Sequence, residues 1–80
     1  MHVYPNPATT MITVALNETT GNNSRIRFID QVGRVVSTYN VNEGTNTIES
    51  IDISNLKSGF YTLQYMNNGR MISQSKIVKY

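Results

Sequence analysis

Apolar residues in this chain recur at every second position, in short runs interrupted by Gly and Asn about every 8–12 residues, a pattern expected of a β-sandwich. Ile12, Val14 and Leu16 alternate with Thr13 and Ala15 and predict a half-buried strand. A polar loop from Asn17 to Asn23, containing Gly21, follows. Ile26 and Phe28 alternate with Arg25 and Arg27, which places both guanidiniums on the wet face of the next strand. Asp30-Gln31-Val32-Gly33 is a turn, with Gly33 suited to a positive φ. Val35 to Val41 then predicts a strand with Val35, Tyr39 and Val41 on one face.

Asn42-Glu43-Gly44 turns the chain again. From Thr45 to Ile53 it is extended, yet Ile48 and Ile51 have opposite parity, so either a bulge separates them or Ile48 faces the other way. Ser54 to Gly59 forms a compact corner with Leu56 plugging the core, and Tyr61, Leu63 and Tyr65 alternate after it. Asn68-Gly69 suits a two-residue type I′ hairpin, and Arg70 to Tyr80 makes the last strand. Abundant Asn, Thr, Ser, Val and Ile disfavour helix interiors. The predicted fold is all-β: a small immunoglobulin-like antiparallel β-sandwich of about seven strands, forming a single domain over residues 1–80.

Eighty residues bury only roughly 60% of the surface that the unfolded chain exposes, so the core is thin. Cysteine is absent, which rules out disulfides and thiolate-bound metals as staples. The net charge is +2, with Arg25, Arg27 and Arg34 early in the chain and Lys57, Arg70, Lys76 and Lys79 late. That scatter does not suggest a nucleic-acid binder, which concentrates its cations. No apolar run approaches the ~20 residues of a membrane-spanning helix. No signal peptide opens the sequence, as expected of the tail of a longer secreted precursor in which Met1 is an added start.

Catalytic chemistry finds no foothold, and no cofactor or metal site is expected. His2, the sole histidine, reads as a disordered start rather than a ligand or base. Glu18, Asp30, Glu43, Glu49 and Asp52 are dispersed without the convergence that acid/base work needs. Asp30 and Asp52 suit backbone amides at turns. No nucleophile elbow, Gly-rich phosphate loop or metal-ligand spacing occurs.

Three motifs remain. Tyr4-Pro5-Asn6-Pro7 fixes φ at two positions and removes two backbone donors, giving a stiff lead-in or a rigid junction. Leu56-Lys57-Ser58-Gly59-Phe60-Tyr61 joins a core plug, a flexible corner and an anchoring tyrosine whose hydroxyl needs a backbone partner. Lys76-Ile77-Val78-Lys79-Tyr80 closes the chain with lysines flanking an apolar pair, a pattern that also protects an edge strand from aggregation. This ordered set resembles the type A C-terminal sorting domain of the type IX secretion system (the Por system) of Bacteroidetes. The resemblance spans essentially the whole chain.

The resemblance implies a non-catalytic label that follows an N-terminally fused cargo and directs it through the outer membrane to the cell surface or medium. In many members of the resembled family a sortase-like surface protease then removes the label and links the cargo to a surface lipopolysaccharide, and the sequence leaves removal or retention open. Lys76, Ile77, Val78, Lys79 and Tyr80 are then the residues that the secretion machinery recognises, with basic residues beside apolar ones. An alternative is an Ig-like or fibronectin-like module of a secreted enzyme or adhesin that binds carbohydrate or protein through Tyr39, Tyr61 and Tyr65. Their alternation with Val and Leu assigns these tyrosines to the core instead. A plain structural spacer would tolerate changes at Lys76 to Tyr80. No nucleic-acid partner is expected, and an isolated copy has weakly charged strands suited to edge-strand homodimerisation.

Overall fold

The computed structural model describes Met1–Tyr80 as seven strands without a helix: β1 (His2–Tyr4), β2 (Met11–Ala15), β3 (Ser24–Asp30), β4 (Val35–Val41), β5 (Thr47–Asp52), β6 (Gly59–Asn67) and β7 (Arg70–Lys79). They form two antiparallel sheets, one ordered β1-β2-β5 and the other β4-β3-β6-β7. Alternation supplies the core. Ile12 and Val14 of the first sheet meet Ile26, Phe28, Leu63 and Ile77 of the second, and all are buried.

The turns follow the residues that specify them. Asn67 pairs with Arg70, leaving Asn68 (φ 51°) and Gly69 (φ 79°) as a two-residue loop in which both centres have positive φ, the type I′ hairpin. On β5, the four residues from Ile48 to Ile51 span the interval that the three from Ile12 to Val14 cover on β2. Ser50 takes up the extra length at φ 58°, so the bulge turns Ile48 and Ile51 into the same core.

Three expectations are corrected. A register shift opposite Phe28 and Ile29 pairs Val35 with Ile29, on the outer face, so Val35 does not share a face with Tyr39 and Val41. Tyr39 pairs with buried Ile26, but β4 is an edge strand and leaves it 39% exposed, so it is not a core residue. His2 is ordered, paired with Ala15 in β1, and its ring lies 5.3 Å from that of Tyr4.

Thr20 is buried within the polar loop. Its hydroxyl donates to the Asn42 carbonyl (2.6 Å) and accepts from the Thr45 N–H (2.9 Å), tying that loop to the β4–β5 turn. Arg25 is exposed as expected, while Arg27 is half-buried under a 2.6 Å hydrogen bond from its Nη2 to Gln64 Oε1.

Candidate functional site

The ends of the chain meet. Pro5 and Pro7 have no N–H, so residues 5–7 cannot extend a ladder in the ordinary way. Both bonds preceding these prolines are cis. Asn6 substitutes its side chain, because a primary amide carries the same donor and acceptor as a peptide group. Asn6 Oδ1 accepts from the Val78 N–H at 3.0 Å, and Asn6 Nδ2 donates to the Lys76 carbonyl at 3.1 Å. One partner is a donor and the other an acceptor, which fixes the amide's orientation. Ala8, fully buried, continues the strap. Its N–H donates to the Val78 carbonyl and its carbonyl accepts from the Tyr80 N–H, both at 2.8 Å, forming a parallel bridge to Lys79.

The strap covers the outer edge of β7 from Lys76 to Tyr80 and sorts the terminal side chains by parity. Ile77 (1% exposed) and Lys79 (8%) turn inward, with the Lys79 ammonium donating to the main-chain oxygen of Tyr80 at 3.0 Å. Lys76, Val78 and Tyr80 occupy the alternate positions. Lys76 is exposed, Val78 half-buried and Tyr80 68% exposed.

The middle motif lies directly beside this strand. Gly59, Phe60 and Tyr61 pair with Lys79, Val78 and Ile77. Before them, Asp52 Oδ1 accepts from the Ser54 N–H (2.8 Å), and the Leu56 N–H donates to the Ile53 carbonyl (3.0 Å). Leu56 is partly buried against the core. The Tyr61 ring is buried, and its hydroxyl donates to the Lys57 carbonyl at 2.5 Å, locking the corner to the start of β6. Gly59 enters that strand at φ 153°, a conformation that side chains rarely adopt.

Two carboxylates hold turns. The Arg34 N–H, the Arg34 guanidinium and the Val32 N–H draw the Asp30 pKa below its ordinary 3.8 against a smaller cost of desolvation, with a 3.0 Å ion pair to Arg34 Nε. Ser54, through its hydroxyl and its N–H, lowers that of Asp52. Both carboxylates are thus engaged in turn geometry. No group of three or more His, Cys, Asp or Glu side chains gathers where a metal could be held.

Of the residues singled out in the sequence, Pro5, Asn6, Pro7, Leu56, Gly59, Tyr61 and Lys76 to Tyr80 therefore belong to one end of the sandwich. Asp52 closes the corner nearby. Tyr4 pairs with Thr13 in β1, and Asn68-Gly69 lies at the opposite end of the β6–β7 hairpin. Sequence reasoning missed the grip of Asn6 on β7, the burial of Ala8 and Lys79, and the 63% exposure of Phe60. The signal for the first was an amide side chain between two residues that lack N–H groups.

The fold is a small two-sheet sandwich whose terminal strand is strapped by residues 6–8. A model of the family described as secretion system C-terminal sorting domain matches residues 2–79, and the chain belongs to that family, the C-terminal sorting domains of type IX secretion. Membership makes it a C-terminal secretion sorting signal, associated with type IX machinery and an N-terminal cargo, and implies export to the cell surface or medium. Domains of this family are in general non-catalytic. No curated protein and no solved structure matches the chain.

Proposed function

We propose that this domain carries a protein fused before β1 across the outer membrane through the type IX system, and that Lys76 to Tyr80 is the part the machinery reads. A sortase-like surface protease then removes the label. The observation that carries this reading is the family match over residues 2–79. The strap supports it physically, because a terminal segment that would otherwise fray is held in one conformation and meets a partner without a large ordering cost. Of the three tyrosines the carbohydrate-binding alternative would use, Tyr61 and Tyr65 are buried in the core and only Tyr39 is exposed, which favours the sorting reading.

The test is a fluorescent reporter with a periplasmic signal peptide at its N-terminus and residues 2–80 at its C-terminus. It is expressed in a bacterium with a working type IX system and in a strain whose system is inactivated. Export only from the competent strain is expected. Retention in the periplasm of both strains contradicts the sorting role.

A further inference from the structure

The cations that look scattered in the sequence are gathered by the fold. The four-stranded sheet holds Arg25, Arg27, Arg70, Lys76 and Lys79, of which Arg25, Arg27 and Lys76 are on its outer face while Lys79 turns inward, and its single carboxylate, Asp30, is already engaged by Arg34 and two backbone amides. The three-stranded sheet carries Glu49 and Asp52 and neither Lys nor Arg. Register places Thr38, Arg27, Gln64 and Gln74 in one row across the outer face of the four-stranded sheet. Val35, Ile29, Thr62 and Lys76 form the next row, followed by Phe60 beside Val78. Arg27 Nη2 is bonded to Gln64, and the buried Nε has no partner.

Beside these rows lies an open groove of about 450 Å³. Ile29 and Thr62 line it together with the exposed Phe60 ring, Lys76 and Asp30, whose charge is paired with Arg34. That volume lies within the usual range for ligand sites of about 300–1,000 Å³. The strap bears on the same surface. It covers the β7 edge at Lys76 to Tyr80, and Ile77 and Lys79 point inward. What remains legible of the tail is Lys76, Val78 and Tyr80, and the first two are on this face.

We infer that the outer face of the four-stranded sheet is a protein-docking surface, and that its partner presents carboxylates around a projecting apolar side chain. The apolar side chain seats against Phe60 and Ile29, while the carboxylates meet Lys76, Arg27 and Arg25. Charge complementarity selects the acidic partner, and the groove offers one exposed ring, Phe60, beside aliphatic Ile29 rather than the several rings a sugar-stacking platform uses, which favours a protein. A membrane surface fits less well, because Phe60 and Met71 lie at opposite ends of the face rather than on one insertable tip. That the partner belongs to the export machinery rests on the sorting reading; the chemistry of the surface does not.

The experiment compares export of the reporter bearing residues 2–80 with three variants, each checked for an unchanged thermal midpoint. Arg25→Glu with Lys76→Glu reverses exposed charges on the face, Phe60→Ala empties the groove wall, and Glu49→Lys alters the other sheet. The double reversal should lower the extracellular fraction about tenfold and Phe60→Ala about threefold, with Glu49→Lys within about twofold of the parent. Parental export by the double reversal and by Phe60→Ala overturns the docking surface and leaves the sorting role standing. Failure of the unsubstituted reporter overturns the sorting role and, with it, the assignment of the partner. The full chain is also sedimented with phosphatidylcholine–phosphatidylglycerol vesicles and, separately, with polygalacturonate. Binding to either that the double reversal abolishes assigns the face to a lipid or an acidic glycan and overturns the protein partner; no binding agrees with the inference.

Discussion

Asn6 is the residue on which the terminal strand depends most locally. Its amide satisfies one N–H and one carbonyl of β7, so Asn6→Ala leaves both to water. A net hydrogen bond is worth about 0.5–1.5 kcal/mol. Losing both costs about 1–3 kcal/mol, so local opening of the strap should become roughly five- to 150-fold more frequent, seen as faster hydrogen exchange at the Val78 amide. Unchanged exchange there would contradict the strap. Tyr61→Phe removes the hydroxyl that holds the Lys57 carbonyl, and should cost about 1 kcal/mol in urea unfolding.

Asp30 sets a pH dependence whose sign is fixed. Its folded pKa lies below the unfolded value near 3.8, so its contribution is present above that value and is lost as pH falls through the folded pKa. Stability should therefore decline under acid below about pH 4, and Asp30→Asn should flatten that decline, as read from urea midpoints against pH. An equally steep acid limb in the variant would remove Asp30 as its source.

Among the elements, β5 and β7 show what a period-two pattern conveys and what it omits. The opposite parity of Ile48 and Ile51 left a bulge or a reversed side chain as alternatives, and pairing with β2 selects the bulge. Ser50 adopts the left-handed conformation there, at a cost of about 1 kcal/mol for a residue with a Cβ. Ser50→Gly should accordingly raise stability by up to about 1 kcal/mol in denaturant titration, and a clear loss would show that the Ser50 side chain matters to the bulge. The hairpin at Asn68-Gly69 was legible because two positive φ angles in succession demand such residues. The outward turn of Val35 was not, because its bulge depends on register with β3 rather than on any residue of β4. The inward turn of Lys79 likewise contradicts composition and follows parity, since it continues the side that buries Ile77. The site was legible as three separate motifs, but their convergence depends on strand order, which no single motif encodes.

At the scale of the whole molecule, one thin core joins two sheets of different charge. Leu63 is fully buried near its centre, and Leu63→Ala should cost about 2–5 kcal/mol, a large share of the ~5–15 kcal/mol that stabilises a typical domain. The fold uses this core to hold the corner from Leu56 to Tyr61 and the strap at Asn6 and Ala8 against the same terminal strand. The proposal that the tail is the address is tested by the extracellular fraction of reporters ending in residues 2–80 and 2–75, in a strain with a working type IX system. Circular dichroism on both purified labels verifies that the sandwich survives, and Ile77→Ala in the full-length label reports the effect of losing packing alone. Export of the full label, retention of the folded 2–75 label in the periplasm and continued export of Ile77→Ala is the predicted result. Equal export of the 2–80 and 2–75 labels would contradict it.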